Sequence, residues 1–226
     1  SEFDWLRDLR AVGSDAARAR ARGLIKLWIE THGSRWQRNS WRPAVTGVRI
    51  ANWLGQREFL AIGADTNFLN QFDGSVHQQN RYLQHVIKFI PVGFDRVLAC
   101  KGIILTALST KNSRQLSRWI KHLDREIEQQ ILGDGGHVSR SPSIELSLLR
   151  HLIDIRSALK DAKEEISHTL QTTIDKIAPM VRFFRHGDGG LALFNGSDEN
   201  EGWLIDVVLT RSEARGKPLD SAPQIG

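Results

Sequence analysis

The sequence predicts an all-α protein, and three observations support this prediction. Apolar side chains recur about every three to four residues along most of the chain, which places them on one face of a helix. Residues that favour the start of a helix, such as Asp15, Ser113 and Pro142, precede several of these segments. The breaks between the segments are short. Helix pairs joined by short loops fit either an α-hairpin solenoid or an α/α toroid.

The predicted elements follow one another along the chain. We expect helices to begin near Asp15, Pro43, Ser75, Phe94, Ser113, Pro142, Lys163 and Trp203. Residues 94–108 are apolar on nearly all sides, which is typical of a buried helix. The pattern changes at residues 189–196, which are too few and too rich in glycine for a helix. They are predicted to form a short extended segment or a hairpin arm.

Charge limits the classes of partner. The chain carries 31 Lys and Arg residues against 26 Asp and Glu residues, a net charge of +5. This balance favours an anionic partner such as acidic polysaccharide, nucleic acid or phosphate. The cluster of Arg18, Arg20 and Arg22 has helical spacing and fits a solvated helix face. Neither a recognition-helix motif nor an aromatic-stacking motif accompanies it, so nucleic acid is the weaker choice.

Composition argues against a disulfide-rich, zinc-finger or membrane-spanning protein, and it leaves the location of the protein open. A single cysteine, Cys100, gives neither a disulfide framework nor a zinc-finger spacing, and its apolar neighbours predict that it is buried. No apolar stretch is long enough to span a bilayer. No signal peptide is recognised, and both a cytoplasmic and a periplasmic location stay open. No motif indicates a cofactor.

Residues 133–145 form the segment with the strongest signs of a functional site. Three glycines within its first four positions permit backbone angles that other residues avoid. His137 and Arg140 follow in the same short loop, and Ser141 and Pro142 occupy the favoured first positions of a new helix. A helix N-terminus entered through such a loop is suited to binding an anion. An ordinary turn between two helices is the alternative interpretation.

Four motifs, taken in chain order, resemble the heparinase II/III-like polysaccharide lyases. They are Trp41-Arg42-Pro43 with Gly47, Arg49, Ile50, Asn52 and Trp53; Lys101-Gly102-Ile103-Ile104; Asp134-Gly135-Gly136 with Ser141-Pro142; and the loop from His186 to Gly196. The resemblance covers nearly the whole chain. It implies an incomplete α/α toroid of antiparallel helix pairs over residues 1–214. Residues 215–226 would be a tail or the start of a linker to a β-sandwich domain.

The resemblance also implies a reaction, the β-elimination of a uronate-containing polysaccharide such as a glycosaminoglycan. In the family, Asn neutralises the uronate carboxylate, and Tyr and His act as base and acid. Counted back from Lys101, the positions of the Asn-His pair hold Phe94 and Asp95, and the position of the Tyr holds Ile144. A glycan-binding or scaffold module without catalysis is therefore an alternative to an active lyase. A helical adaptor for another anionic partner is a further alternative.

Several residues are candidates for a sugar site. His137 is the candidate acid or base, because imidazole titrates near neutral pH, and a loop-stabilising histidine is the alternative. The candidate substrate-binding residues are Asp134, Arg140, Arg185, His186 and Asp188 in the two glycine-rich loops, together with Trp36 and Trp41. A guanidinium can hold a carboxylate or sulfate through two bonds, and an exposed tryptophan ring can stack on a sugar. The His and Asp spacing matches no standard ligand pattern, so no metal is predicted.

Overall fold

A computed structural model describes residues 2–34, 39–216 and 219–224. Its helices are α1 (Leu6–Val12), α2 (Asp15–His32), α3 (Pro43–Gly55), α4 (Arg57–Ala61), α5 (Thr66–Val86), α6 (Phe94–Ser109), α7 (Ser113–Gln130), α8 (Pro142–Asp161), α9 (His168–Phe183) and α10 (Gly202–Ser212), with a 3-10 turn at Ile87–Phe89. Over these ranges, backbone pairing of the β type is limited to two isolated bridges, Ile131–His137 and Arg185–Leu191. The all-α prediction is confirmed. Residues 189–196 are non-helical as predicted, and form a turn and coil.

The helices pack as two compact units. Unit 1 comprises Ser1–Pro91 and Asp95–Trp119, and unit 2 comprises Val92–Phe94 and Ile120–Gly226. In unit 1, α2 contacts α1, α4 and α5, and α3 contacts α4 and α5. In unit 2, α8, α9 and α10 contact one another. The single domain expected over residues 1–214 stays a prediction.

An aromatic cluster lies in the core of unit 1. The rings of Phe3, Trp28 and Trp53 meet edge to face, with centroids 5.4 to 6.4 Å apart. The fully buried guanidinium of Arg49 lies 4.0 Å from the Trp28 ring centroid, and its Nε donates to Gln79 Oε1 at 2.7 Å. Burial lowers the pKa of Arg49 to about 9, which still leaves the group charged at neutral pH. These contacts give the buried charge both hydrogen bonds and ring faces.

Trp41 belongs to the same core, which corrects its interpretation as an exposed cleft residue. Its ring is 3% exposed and meets the Tyr82 ring edge to face at 5.1 Å. Its Nε1 donates to the carbonyl of His32 at 2.8 Å, so the polar edge is satisfied inside the protein. The side chain fills a space between α2 and α5 in which a sugar could not stack. Trp36, the other tryptophan proposed for the cleft, lies outside the described residues.

Helix α6 is buried as predicted, and it approaches α3 through a pair of glycines. A Cβ atom on Gly102 would lie 2.8 Å from the Cα atom of Gly47, closer than real contacts allow. Only glycine at these positions permits the two backbones to pack this closely. Cys100 and Lys101 are also buried on α6, as its nearly continuous apolar pattern suggests.

Two predicted helix starts are wrong, because other residues provide the caps. Helix α5 starts after Asp65, whose side chain accepts a 2.6 Å hydrogen bond from a first-turn backbone N–H. Ser75, the predicted start, is buried within that helix. Helix α9 starts after Ser167, which caps it in the same way at 3.2 Å, and not near Lys163. Helices α1 and α4 have too few residues for their periodicity to stand out.

Helix α8 is the buried helix of unit 2 and fixes the position of the loop before it. Leu148, Leu149 and Leu152 are fully buried along it. Contacts to α9 and α10 surround this apolar surface. Packing of α8 therefore fixes the position of its first turn, which begins at Pro142. The polar residues around this turn are positioned with it.

Candidate functional site

The tetrapeptide Gly-Asp-Gly-Gly occurs at residues 133–136 and 187–190, and both copies fold alike. In each copy the residue before the tetrapeptide donates from its N–H to the carbonyl of the last glycine, at 2.8 Å in the first copy and 2.9 Å in the second. The side chains of Asp134 and Asp188 accept from the N–H of that last glycine, at 3.1 and 2.9 Å. One oxygen of each proposed binding carboxylate therefore already holds its own loop. The identical tetrapeptides are the sequence signal for this structural repeat.

The third residue of each tetrapeptide must be able to adopt a left-handed backbone. Gly135 has a φ of 94° and Gly189 has a φ of 90°. A Cβ atom on Gly135 would overlap the carbonyl oxygen of Lys176 on α9, whereas one on Gly189 would meet only the end of the Arg185 side chain, at 3.5 Å. The first loop, which contains residues 133–136, is thus packed tightly on α9. The second loop, which contains residues 187–190, is less constrained.

His137 is buried inside the first loop, with only 2% of its surface exposed. The backbone N–H of Ser139 donates to His137 Nδ1 at 3.0 Å, so Nδ1 is an acceptor and the proton lies on Nε2, which donates to Gln130 Oε1 at 3.1 Å. Burial lowers the pKa of His137 to about 4, so the ring is neutral at pH 7. The second loop places Leu191, also buried, at the equivalent position. The placement favours the loop-stabilising interpretation of His137 over the acid–base role.

Glu145 completes a buried polar cluster with Gln130 and His137, and the sequence did not single it out. Its carboxyl is fully buried, and Oε2 accepts from the backbone N–H of His137 at 2.6 Å. Burial raises the pKa of Glu145 to about 8, so the group is mainly protonated at neutral pH. Glu145 Oε1 and Gln130 Nε2 have no hydrogen-bond partner. This cluster is neutral and holds the loop in place.

Hydrogen bonds join the first loop to the second loop. The backbone N–H of Ser143 donates to Ser197 Oγ at 2.8 Å, and Asn195 Nδ2 donates to the carbonyl of Arg140 at 2.9 Å. Ser141 occupies the N-cap position of α8 as predicted, but its Oγ lies 3.3 Å from Ser197 Oγ and does not cap the helix. The structure thus brings together the two loops that the sequence identified.

The two loop arginines differ in their availability for a ligand. Arg185 forms a bidentate ion pair with Asp206, with N–O distances of 2.6 and 3.0 Å. Hydrogen bonding within this pair raises the pKa of Arg185 and lowers the pKa of Asp206. Arg140 is exposed and has a left-handed φ of 54° at the tip of the first loop. Arg140 is therefore the better candidate for binding an anion.

His186 is exposed and lines an open groove beside the second loop, with a volume of about 590 Å³. The groove is also lined by Phe183, Phe184 and Phe194. Phe183 and Phe194 are each 38% exposed, which is unusual for rings of this size. The groove combines aromatic surface with an imidazole, a composition common in pockets for small organic ligands.

The C-terminal segment returns to the first loop. Gln224 Oε1 accepts from the N–H of Gly133 at 2.6 Å, and the N–H of Gln224 donates to Asp134 Oδ2 at 3.0 Å. Residues 220–223 line the groove beside His186. The described part of the expected tail therefore packs against other residues of unit 2.

The positions that match the family's catalytic set hold side chains with other roles. Phe94 packs its ring against His151, with centroids 5.8 Å apart. Asp95 lies 3.7 Å from the guanidinium of Arg42 in unit 1. Ile144 is half-buried in the first turn of α8. None of the three supplies the amide, imidazole or phenol that the elimination requires.

The described ranges hold neither a metal-binding cluster nor a membrane-spanning helix. Within residues 2–34, 39–216 and 219–224, no group of three or more His, Cys, Asp or Glu residues could hold a metal ion. Asp134, His137, His186 and Asp188 are thus not assembled as ligands. Over the same ranges, no helix is long and apolar enough to cross a membrane.

Comparison with known proteins identifies the family and one named relative. The family described as Heparinase II/III N-terminus matches residues 23–208. FtsZ-localized protein C of Caulobacter vibrioides (strain NA1000 / CB15N) is 32% identical over 225 residues, which are 99% of this chain and 38% of that protein.

Two solved structures share the fold. Heparinase III superposes with a TM-score of 0.76 at 16% identity, covering 93% of this chain and 35% of that one. Heparan sulfate lyase HepC from Pedobacter heparinus gives a TM-score of 0.64 at 17% identity, covering 97% and 39%. The chain spans less than two fifths of the length of each of these relatives. The match to heparinase III confirms the incomplete α/α toroid of antiparallel helix pairs. The chain belongs to the Heparinase II/III N-terminus family.

Proposed function

We propose that this chain is a helical domain that binds an acidic, uronate-containing polysaccharide and does not itself carry out β-elimination. One observation carries the proposal. The two loops that match the family's motifs come together, but the titratable side chains of the buried polar cluster, His137 and Glu145, are inaccessible and neutral. The loops are thus organised for contact with a ligand and not for proton transfer.

The exposed groups around these loops suit an acidic sugar chain. Arg140 presents an exposed guanidinium, which can bind a carboxylate or a sulfate through two charge-assisted hydrogen bonds. Phe183 and Phe194 offer partly exposed rings beside His186, and a pyranose can lay its apolar face on such rings. The net charge of +5 attracts a polyanion at longer range.

Neither His137 nor Ile144 provides what β-elimination needs. A general base must come within hydrogen-bond reach of the proton that it removes, with a pKa near the working pH. His137 meets neither condition, because it is 2% exposed and its pKa is about 4. Ile144 provides no phenol at the matching position. If a longer protein containing this chain has lyase activity, groups outside this domain supply the base and acid.

The proposal is tested by measuring cleavage and binding with the same preparation. The chain is incubated with heparan sulfate, chondroitin sulfate and alginate while the ultraviolet absorbance of unsaturated uronate ends is followed, and no increase is expected. Calorimetric titration with acidic oligosaccharides from the same polymers should show binding that weakens as salt is added. A neutral dextran oligosaccharide serves as the control. Cleavage by the chain alone, or binding to none of the acidic sugars, contradicts the proposal.

A second candidate function rests on the named relative. The identity to FtsZ-localized protein C is 32% and extends over 99% of this chain, well beyond the two loops. We therefore also propose that a protein containing this domain acts at the site where FtsZ assembles. A fluorescent fusion of that protein should co-localise with FtsZ in dividing cells. A uniform distribution that ignores FtsZ rings contradicts this second candidate and leaves the first one standing.

A further inference from the structure

Unit 1 contains a polar pocket of about 210 Å³ that shares no residue with the two loops. It is lined by side chains of α5, α6, the turn that follows α6, and the start of α7. A molecule of water occupies about 30 Å³ in the liquid, so this volume corresponds to roughly seven waters. That is room for one small organic molecule and not for a chain of several units.

The lining consists mainly of amides and hydroxyls, together with the exposed imidazole of His77. Amide groups come from Asn80, Gln84, Asn112 and Gln115, and the pocket residues from α6 and its end add two threonine hydroxyls. Among the described residues that line it, none is Asp, Glu, Lys or Arg. Amides and hydroxyls both donate and accept hydrogen bonds. The lining therefore suits an uncharged ligand that carries several polar groups of its own.

Bonds within the protein leave particular groups for that ligand. Gln115 Oε1 accepts from Trp119 Nε1 at 3.1 Å, and Asn112 Oδ1 accepts from the N–H of Gln115 at 3.0 Å. The amide nitrogens of both side chains keep their N–H groups as donors. Asn80 Oδ1, in contrast, is buried and has no hydrogen-bond partner. A buried carbonyl oxygen without a donor is uncommon, and rotation of the Asn80 amide toward the pocket would let a ligand hydroxyl donate to it.

Two apolar side chains complete the pocket. Ile103 is 1% exposed and Ala107 is 5% exposed, and both belong to α6. A sugar ring combines an apolar face of C–H groups with a rim of hydroxyls, which matches an apolar wall bordered by amides. We propose that this pocket binds a single neutral pyranose unit, and that it discriminates against uronate because its described lining holds neither lysine nor arginine to pair with the carboxylate.

The test uses the whole chain labelled with nitrogen-15 and N-acetyl-D-glucosamine as the probe. The indole N–H of Trp119 is a natural reporter, because it donates to a side chain that lines the pocket. Its resonance is assigned by its loss in Trp119→Phe. We expect a saturable shift with a dissociation constant of about 1 mM, which is ordinary for a ligand of this size. D-glucuronate should bind more than about tenfold more weakly.

Matched variants locate the binding. Asn80→Ala should weaken binding about threefold to tenfold, because it removes the acceptor that the sugar hydroxyl satisfies. Asn70→Ala changes an exposed residue of the same type on the same helix and should leave binding unchanged. If Asn80→Ala fails to fold, Thr110→Val at the exposed edge of the pocket replaces it and should also weaken binding.

The absence of a saturable Trp119 shift, equal binding of glucuronate, or equal effects of the pocket and control variants overturns the proposal. None of these results bears on the two loops.

Discussion

The backbone N–H of His137 donates a 2.6 Å hydrogen bond to the fully buried carboxyl of Glu145. This bond ties the first glycine-rich loop to the first turn of α8. Glu145 is mainly protonated and His137 is neutral at pH 7, so no net charge is buried with them. The loop can therefore be rigid without the large penalty of burying an unpaired ion.

The stability of the protein should fall as the pH rises from about 6.5 to about 8. Burial raises the pKa of Glu145 from its ordinary value of 4.5 to about 8, so over this interval the folded chain holds a proton that the unfolded chain releases. The free energy of unfolding then decreases with pH, by at most about 1.4 kcal/mol per pH unit. Below pH 6.5 the lowered pKa of His137 contributes the opposite slope.

Glu145→Gln tests this pH dependence. The amide stays neutral at every pH and keeps an oxygen that can accept from His137. Urea unfolding of both proteins at several pH values in this interval should show a falling stability for the natural chain and a flatter profile for the variant. Equal slopes in the two proteins would show that another group causes the change.

Gly135→Ala should destabilise the protein more than Gly189→Ala. Both glycines have a left-handed φ, so the alanine methyl costs about 1–2 kcal/mol in each loop. At Gly135 the methyl also overlaps the carbonyl oxygen of Lys176, whereas at Gly189 it meets only a flexible arginine end. Thermal unfolding of the two variants measures the difference. A Gly189→Ala protein as unstable as Gly135→Ala would contradict the tighter packing of the first loop.

The helical fold and the two loops were predictable from the sequence because each has a local signal. Apolar residues at helical spacing predict helices whatever surrounds them, and glycines with Ser141-Pro142 predict a loop followed by a helix start. The resemblance to the lyase family predicted the toroid, which the structural match to heparinase III confirms.

The environment of single side chains was not predictable in the same way. Trp41 is flanked by polar residues, which suggested exposure, but its ring packs against Trp28 and Tyr82 from distant parts of the chain. Glu145 gave no signal because its partner is a backbone N–H, which every residue except proline carries. Burial of this kind depends on tertiary packing and not on a local pattern.

Ser143→Ala should loosen the second loop. Ser143 Oγ accepts from the N–H of Asp198 at 3.0 Å and from Asn200 Nδ2 at 2.9 Å, and it lies 3.0 Å from the carbonyl oxygen of Asp198, to which it can donate, so the change removes all of these contacts at once. A loss of about 1–2 kcal/mol is expected. Hydrogen exchange at the amide of Asp198 should become faster. Ser147→Ala, further along the same helix, is the control, and faster exchange in both variants would indicate general destabilisation.

The exposed arginine of the first loop should matter more for glycan binding than its counterpart in the second loop. Arg185 is already paired with Asp206 through both carboxylate oxygens, so a sugar carboxylate must compete with that ion pair. Arg140 presents an exposed side chain. In calorimetric titrations with an acidic oligosaccharide, Arg185→Ala should lower the affinity less than Arg140→Ala. The reverse order would place the ligand at the second loop.

The most direct test compares Arg140→Ala with Arg20→Ala, which removes an exposed arginine from α2. Each variant is titrated with the same acidic oligosaccharide at two salt concentrations. Loss of a charge-assisted contact at Arg140 should weaken binding by about 10- to 150-fold, whereas loss of an exposed charge at Arg20 should weaken it by about fivefold at most. Equal losses for the two variants, or tighter binding of duplex DNA than of any acidic sugar, would contradict a glycan site at the two loops.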